Sequence, residues 1–226
     1  MTRDNVWAIL SEQGKIASMS MPAEKPRRYT LDEYFAMEAA MPEAKLEYRD
    51  GEIVNIRELQ ALDPQGMAGG SFRHVQISGN VLACLRTALH ESPCNAYGSD
   101  LRVQIVSKSL FFYPDVTVVC GKPDLEQRSG IGETLRNPKL LVEVLSPSTE
   151  AYDRGIKFHR YFEIPSLEEY VLISQNEPRV EVYLRREDGT WLLTSFNGLE
   201  KNIRLASINI EIPLREIFAG VEFPAE

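Results

Sequence analysis

Apolar positions along this chain shift between helical and alternating spacing, and the shifts mark its elements. Leu31, Tyr34, Phe35 and Glu38 recur at helical intervals up to Pro42. Thr30 stands at the N-cap position with Glu33 three residues on, the spacing of a capping box. Residues 45–48 and 52–56 alternate around Asp50-Gly51, which predicts a β-hairpin closed by a type I′ turn. Residues 63–71, rich in Pro and Gly, read as a loop. From 72 to 90, Val75, Ile77, Val81, Leu82, Leu85 and Leu89 form the stripe of a long amphipathic helix, stopped by Ser92-Pro93. Residues 101–106 alternate as a half-buried strand does, while 111–120 and 139–145 are dense in Val and Leu, as central strands are. A polar loop is expected over 123–138. A helix from Ser146 to about Pro165 follows, with Ser148 or Thr149 as N-cap. Strands over 169–174, 179–185, 191–196 and 208–213 and a short helix over 214–218 complete the chain.

This order predicts an α/β (α+β) fold: a mixed central β-sheet flanked by helices, with an N-terminal hairpin and a C-terminal β meander. Residues 1–27 read as a poorly ordered leader and 28–226 as one domain, a size one core can serve.

Composition narrows the classes. No apolar run approaches the roughly 20 residues that span a bilayer, and residues 1–21 lack the apolar core of a secretory signal. A cytoplasmic protein without membrane contact is expected. Cys84, Cys94 and Cys120 are odd in number and contain no Cys-x-x-Cys pair. They read as reduced thiols, with Cys84 and Cys120 buried. The net charge of −8 advertises no broad basic face, although Arg73, Arg154, Lys157 and Arg160 offer a local one for phosphates.

The chemistry-bearing positions are two carboxylates in apolar surroundings. Asp115 follows Pro114, which lacks an N–H for a sheet ladder and so marks a strand start or an irregularity. There it points into a cleft, or else serves as a plain turn aspartate. Glu143 interrupts Leu140-Leu141-Val142 and Val144-Leu145. A carboxylate in such a run costs several kcal/mol unless paired or bound to metal, so it reads as a metal ligand, with an arginine partner as the alternative. Lys157 shares a helix face with Asp153 and Tyr161. It either completes a surface ion pair with Asp153 or serves phosphate chemistry. Glu47, beside the hairpin turn, is an accessory acid or a surface residue. His74 is a phosphate contact, a proton relay or a plain helix-terminal histidine. Gln104 is a candidate for positioning water; His90 and His159 have no partner at metal-ligand spacing. Two carboxylates with a lysine near them suit Mg²⁺ or Mn²⁺ and hydrolysis of a phosphodiester.

The ensemble of Leu46-Glu47-Tyr48-Arg49-Asp50-Gly51-Glu52-Ile53, His74, Tyr113-Pro114-Asp115, residues 141–149, Asp153-Arg154-Gly155-Ile156-Lys157 and Tyr161 through Tyr170 resembles the Uma-two family. The resemblance covers roughly residues 28 to 218. It implies an endonuclease with the restriction-endonuclease-like fold of the PD-(D/E)XK superfamily, and it implies Asp115 and Glu143 as metal ligands. The superfamily pattern sets a lysine two residues after the acid. Here Leu145 holds that place, and the resemblance implies Lys157, from the following helix, as its replacement.

Three readings compete. The first is a nuclease using Mg²⁺ or Mn²⁺ on nucleic acid, DNA foremost, working as a homodimer joined through residues 191–213. The second is a catalytically idle module of the same fold that binds nucleic acid or protein. The third is hydrolysis of another substrate by paired carboxylates acting as acid and base.

Overall fold

The computed structural model describes residues 27–56, 71–128, 132–146 and 150–223. The leader, but for residue 27, the loop over 63–70 and the proposed caps Ser148 and Thr149 lie outside the described residues. Helix α1 (Leu31–Ala40) opens with the capping box formed, Thr30 and Glu33 each satisfying the other's backbone N–H. Strands β1 (Leu46–Arg49) and β2 (Glu52–Asn55) form the hairpin. Asp50 and Gly51 turn with φ of 48° and 92°, the doubly positive pair that a type I′ turn requires.

Helix α2 (Phe72–Ala88) is capped by Ser71. Ile77, Val81, Leu85 and Leu89 of its stripe are buried, whereas Val75 faces solvent. There follow β3 (Cys94–Gly98), β4 (Arg102–Ile105), β5 (Leu110–Phe112), β6 (Val116–Cys120), β7 (Leu125–Arg128), β8 (Gly132–Leu135) and β9 (Leu140–Leu145). The next helical stretch runs as α3 (Glu150–Tyr152), a π turn (Asp153–Lys157) and α4 (Phe158–Tyr161). After it come β10 (Glu169–Ser174), β11 (Arg179–Arg185), β12 (Trp191–Asn197), β13 (Asn202–Leu205), β14 (Ile210–Pro213) and α5 (Leu214–Ile217).

Among the described residues two six-stranded sheets and a two-stranded ribbon result, where one central sheet was expected. The larger core lies on the sheet ordered β12-β11-β10-β9-β6-β3, in which β9 and β10 run parallel and the other pairs antiparallel. The second sheet is ordered β2-β1-β5-β4-β8-β7. The apolar run 111–120 is therefore two strands in two sheets, broken at Tyr113-Pro114-Asp115, where proline cannot extend a ladder. The expected polar loop holds the hairpin β7–β8, whose strands are mostly exposed or half-buried and so carry no apolar alternation. β3 and β13 are additional, and the helix after β9 ends at Tyr161.

Alternation on β9 assigns its faces. Leu140, Val142 and Val144 pack with α2 and β6, while Leu141 and Leu145 pack with Tyr161, Tyr170 and β4–β5. Glu143 falls on the latter face, between the two sheets.

The cysteine reading is corrected. Cys94 and Cys120 are cross-strand partners on β3 and β6 and form a disulfide, which leaves Cys84 as the free thiol. Cys84 and Cys120 are half-buried rather than buried. The bond ties the sheet's edge strand to the strand that Asp115 precedes, and it removes the thiol argument for a reducing compartment. No described helix is long and apolar enough to cross a membrane. With the cysteines 26 positions apart in sequence, restricting the unfolded chain accounts for about 3.5 kcal/mol. Denaturant unfolding with and without a dithiol reductant should differ by about that much, and a Cys94→Ala/Cys120→Ala protein should not respond to reductant. Equal wild-type curves would remove the stabilising role.

Candidate functional site

Four carboxylates, a lysine and a histidine meet where β1, β6, β9, α2 and the π turn converge. Val116 on β6 pairs with Val142 on β9, so continuing that antiparallel register sets Asp115 across from Glu143 on one face. Asp115 Oδ2 accepts the Val144 N–H at 2.7 Å and lies 3.2 Å from Nε2 of His74. Glu143 Oε1 lies 2.7 Å from Lys157 Nζ and accepts the Tyr161 hydroxyl at 2.8 Å. Lys157 Nζ also lies 3.4 Å from Glu47 Oε1 and 3.7 Å from Asp153 Oδ1. Glu47 accepts the Tyr113 N–H at 3.3 Å, the Tyr152 hydroxyl at 3.3 Å and an Arg49 guanidinium N–H at 3.2 Å.

Asp115, Glu143, Lys157, Glu47 and His74, each singled out in the sequence, are thus brought together. Lys157 comes from the helix, as the resemblance implied, while Leu145 is buried in the second core. The exposed Asp153–Lys157 pair is corrected, since both residues are buried. So is the surface reading of Glu47, and the counter-ion of Glu143 is a lysine rather than an arginine. Gln104 lies on β4, and no described hydrogen bond or ion pair joins it to the cluster. Arg154 is bound to Glu150 and Glu181 and Lys157 is buried, so the expected local basic surface does not form from them.

The expected open cleft is nearly closed. The side chains of Glu47, Glu143 and Lys157 are 0%, 4% and 5% exposed, against 13% for Asp115. Tyrosines explain the closure: Tyr152 and Tyr161 donate to the acids, and the Tyr170 hydroxyl donates to the Asp153 carbonyl. Their roles, and that of Arg49, were missed. The one available signal was Tyr161, one helical turn beyond Lys157.

Burial sets the protonation states. Desolvation raises the Glu143 carboxyl well above its usual range, and Asp153 and Asp115 add to this against the opposing pull of Lys157. Desolvation works against the Lys157 ammonium, but Glu143, Glu47 and Asp153 outweigh it and keep the lysine charged. For Asp115, desolvation is overcome by His74, the Val144 N–H and Lys157, and its pKa falls. His74 moves up, because Asp115 outweighs the cost of burial. Tyr161 and Tyr170 are pushed far upward by desolvation and by Glu143, so they remain neutral donors.

The donor set suits a hard divalent cation. With Lys157, Arg49 and His74 set against four acids, Glu143 is the carboxylate left undercompensated, as its raised pKa shows, and a cation there would favour its ionised form. The contacts above engage Asp115 through Oδ2 and Glu143 through Oε1, so each acid has a second oxygen for a ligand. Among the described residues, no three His, Cys, Asp or Glu side chains form a metal-holding group. Two carboxylates, with water and phosphate completing the shell, are the usual arrangement for Mg²⁺.

Two stability outcomes follow. Lys157→Met leaves buried carboxylates without their ammonium and should cost about 3–5 kcal/mol in denaturant unfolding; a loss under about 1 kcal/mol would contradict the network. The raised His74 pKa means its part of the pair is complete below about pH 6.5, where free histidine is charged, and is lost as pH rises through the folded value. The lowered Asp115 pKa means its part is complete above about pH 4 and is lost as pH falls through the folded value. In chelator, the melting temperature of wild type minus that of His74→Gln should therefore peak between about pH 4 and 6.5. A difference independent of pH would rule out the charged pair.

Comparison with known proteins identifies the family and the architecture. The profile of Uma2, described as "Putative restriction endonuclease", matches residues 31–215. Two Synechocystis proteins are each 34% identical. "Uncharacterized protein slr1290" aligns over 192 residues, 85% of this chain and 92% of its own length. "Uncharacterized protein sll1609" aligns over 181 residues, 80% of this chain and 94% of its own length. A solved structure from Anabaena variabilis, titled a "putative nuclease belonging to DUF820", superposes with a TM-score of 0.62 at 18% identity, covering 84% of this chain and 97% of that one. The structural likeness bears on architecture and agrees with the mixed α+β sheets described above. With the family profile spanning most of its length, this chain belongs to the Uma2 family of restriction-endonuclease-like proteins.

Proposed function

We propose that this protein is a metal-dependent nuclease that hydrolyses phosphodiester bonds of nucleic acid, DNA foremost. The observation that carries the reading is the 2.7 Å approach of Lys157 Nζ to Glu143 Oε1, on the sheet face that Asp115 shares. An acid pair and an ammonium are thereby assembled although Leu145 occupies the usual lysine position.

Asp115 and Glu143 are the residues that would hold Mg²⁺ or Mn²⁺. When bound, the cation lowers the pKa of a water and stabilises charge on the phosphate oxygens. The Val144 N–H and His74 fix the Asp115 carboxylate, and the Tyr161 hydroxyl fixes that of Glu143, so neither acid has to reorganise around the ligand. Lys157 is held protonated by three acids and therefore acts as a fixed positive charge rather than as a base. Hydrolysis joins a water oxygen to phosphorus and releases a sugar oxygen; the ammonium opposes the negative charge that gathers during this exchange. Glu47 is accessory and holds Lys157 in place, while His74 acts through Asp115.

One observation favours the idle-module reading: the near-complete closure of Glu47, Glu143 and Lys157. Calorimetry separates the two. A nuclease binds Mn²⁺ through Asp115 and Glu143, whereas an idle scaffold shows no heat that depends on them. In Mn²⁺, wild type should nick plasmid and cut labelled oligonucleotide, and Asp115→Ala and Glu143→Ala should each be at least about 100-fold slower. Equal cleavage by all three proteins would end the assignment.

A further inference from the structure

Beside the acidic cluster lies a small pocket that the proposed chemistry does not use. Its walls carry three guanidiniums, from Arg28, Arg49 and Arg160, and part of its lining comes from Phe112 and Ile156. Asp50 and Glu52 also line it, and Glu47 and Glu163 pair with Arg49 and Arg160, so Arg28 is the guanidinium of the three with no carboxylate partner among the described ion pairs.

The arginines are held in advance. Arg28 donates through Nη1 to the backbone carbonyl of Asp50, and Arg160 donates through Nη2 to Asp50 Oδ2 at 2.6 Å and through Nη1 to Glu163 Oε1 at 3.5 Å. Both therefore rest on the β1–β2 turn. Gly51 serves this arrangement twice: it supplies the positive φ, and a Cβ there would stand 3.3 Å from Arg28 Cβ. Arg49 is stacked on Tyr152, with Cζ 3.7 Å from the ring centroid. A guanidinium has five N–H donors, so these contacts leave Arg28 and Arg160 with donors for another acceptor.

The pocket adjoins the acidic cluster at two points. Arg49 reaches Glu47, which contacts Lys157. Phe112 meets Tyr161, the donor to Glu143, edge-on at 5.4 Å. A volume of about 190 Å³ falls below the roughly 300 Å³ at which small-molecule sites begin. It suits a phosphate with the edge of its sugar rather than a whole nucleotide. Planar, bidentate donors are the groups that match phosphate oxygens.

We propose that Arg28 and Arg160 seat a backbone phosphate adjacent to the scissile one and so register the nucleic-acid strand on the acidic cluster. This rests on the nuclease reading for the identity of the ligand. The contact is blind to sequence, because phosphate contacts position a strand and do not read its bases.

The experiment is binding of a fluorescent oligonucleotide by the full chain in chelator, followed by anisotropy across a range of salt. Arg28→Gln and Arg160→Gln should each weaken binding about tenfold and lower the slope of log affinity against log salt by about one. Arg28→Lys and Arg160→Lys should recover part of the loss, which separates charge from damage to the fold. Arg204→Gln, which removes a charge on β13, should change nothing. Oligonucleotide binding of wild-type strength in both glutamine variants, or an equal loss in Arg204→Gln, would overturn the proposal. Inorganic phosphate, titrated by calorimetry, should bind far more weakly than the oligonucleotide. Equal affinity would make this a free-phosphate site and overturn the backbone assignment. If wild type cleaves while the glutamine variants bind normally, the pocket fails alone. If wild type binds no oligonucleotide at any salt, the nuclease reading falls with it. Arginine-dependent binding without cleavage upholds the pocket and removes the catalytic reading alone.

Discussion

The Lys157 ammonium contacts carboxylates from three separate parts of the chain: Glu47 on the N-terminal hairpin, Glu143 on the central sheet and Asp153 one turn earlier on its own helix. All four groups are buried. Removing charges from water costs several kcal/mol per ion, and only close mutual contact and filled hydrogen bonds offset it. Hairpin, sheet and helix must therefore dock together for any of these charges to be tolerable. The tyrosines around them supply the remaining hydrogen bonds at groups that stay neutral. Chemistry and architecture consequently rest on the same contacts, since the lysine that would serve a phosphate also fastens the two sheets.

The rest of the molecule is arranged to present this point. α2 covers one face of the main sheet with an aliphatic stripe, which leaves the other face for the polar cluster. The proline before Asp115 ends the run that began on β5 and sends the chain from the second sheet into the main one. That break sets the aspartate at a strand start, where its side chain can accept the Val144 N–H from the neighbouring strand. The hairpin contributes Glu47 from within β1 and, through its turn, positions two arginines at the margin.

Much of this was legible in the sequence, for identifiable reasons. Asp50-Gly51, the Thr30–Glu33 box and the α2 stripe are local signals, and local signals survive into the fold. Glu143 stood out because a charge in an unbroken apolar run demands a partner. The β7–β8 hairpin was hidden because its strands are mostly exposed or half-buried and polar, and β3 because Cys94-Asn95-Ala96-Tyr97-Gly98 lacks an aliphatic pattern. The disulfide was hidden because three cysteines without a motif spacing do not declare a pair; β3 and β6 had first to be adjacent. The role of Tyr152 depends on a contact made across the fold, with a glutamate 105 residues away, and no short-range pattern encodes such a meeting.

The π turn at Asp153–Lys157 holds one residue more than an ordinary helical turn, with the Phe158 N–H reaching back to the Asp153 carbonyl. An α-helical turn holds 3.6 residues, so the wider turn takes up the surplus residue within itself and the helix beyond it keeps its phase. Deleting one of Arg154, Gly155 or Ile156 would therefore return the turn to ordinary pitch and leave the Tyr161 hydroxyl facing Glu143. Adding or removing a residue within Phe158–Tyr161, which has no such slack, would instead swing that hydroxyl away by about 100°. The same single-codon indel is thus absorbed at one point of this helix and destructive a few residues later.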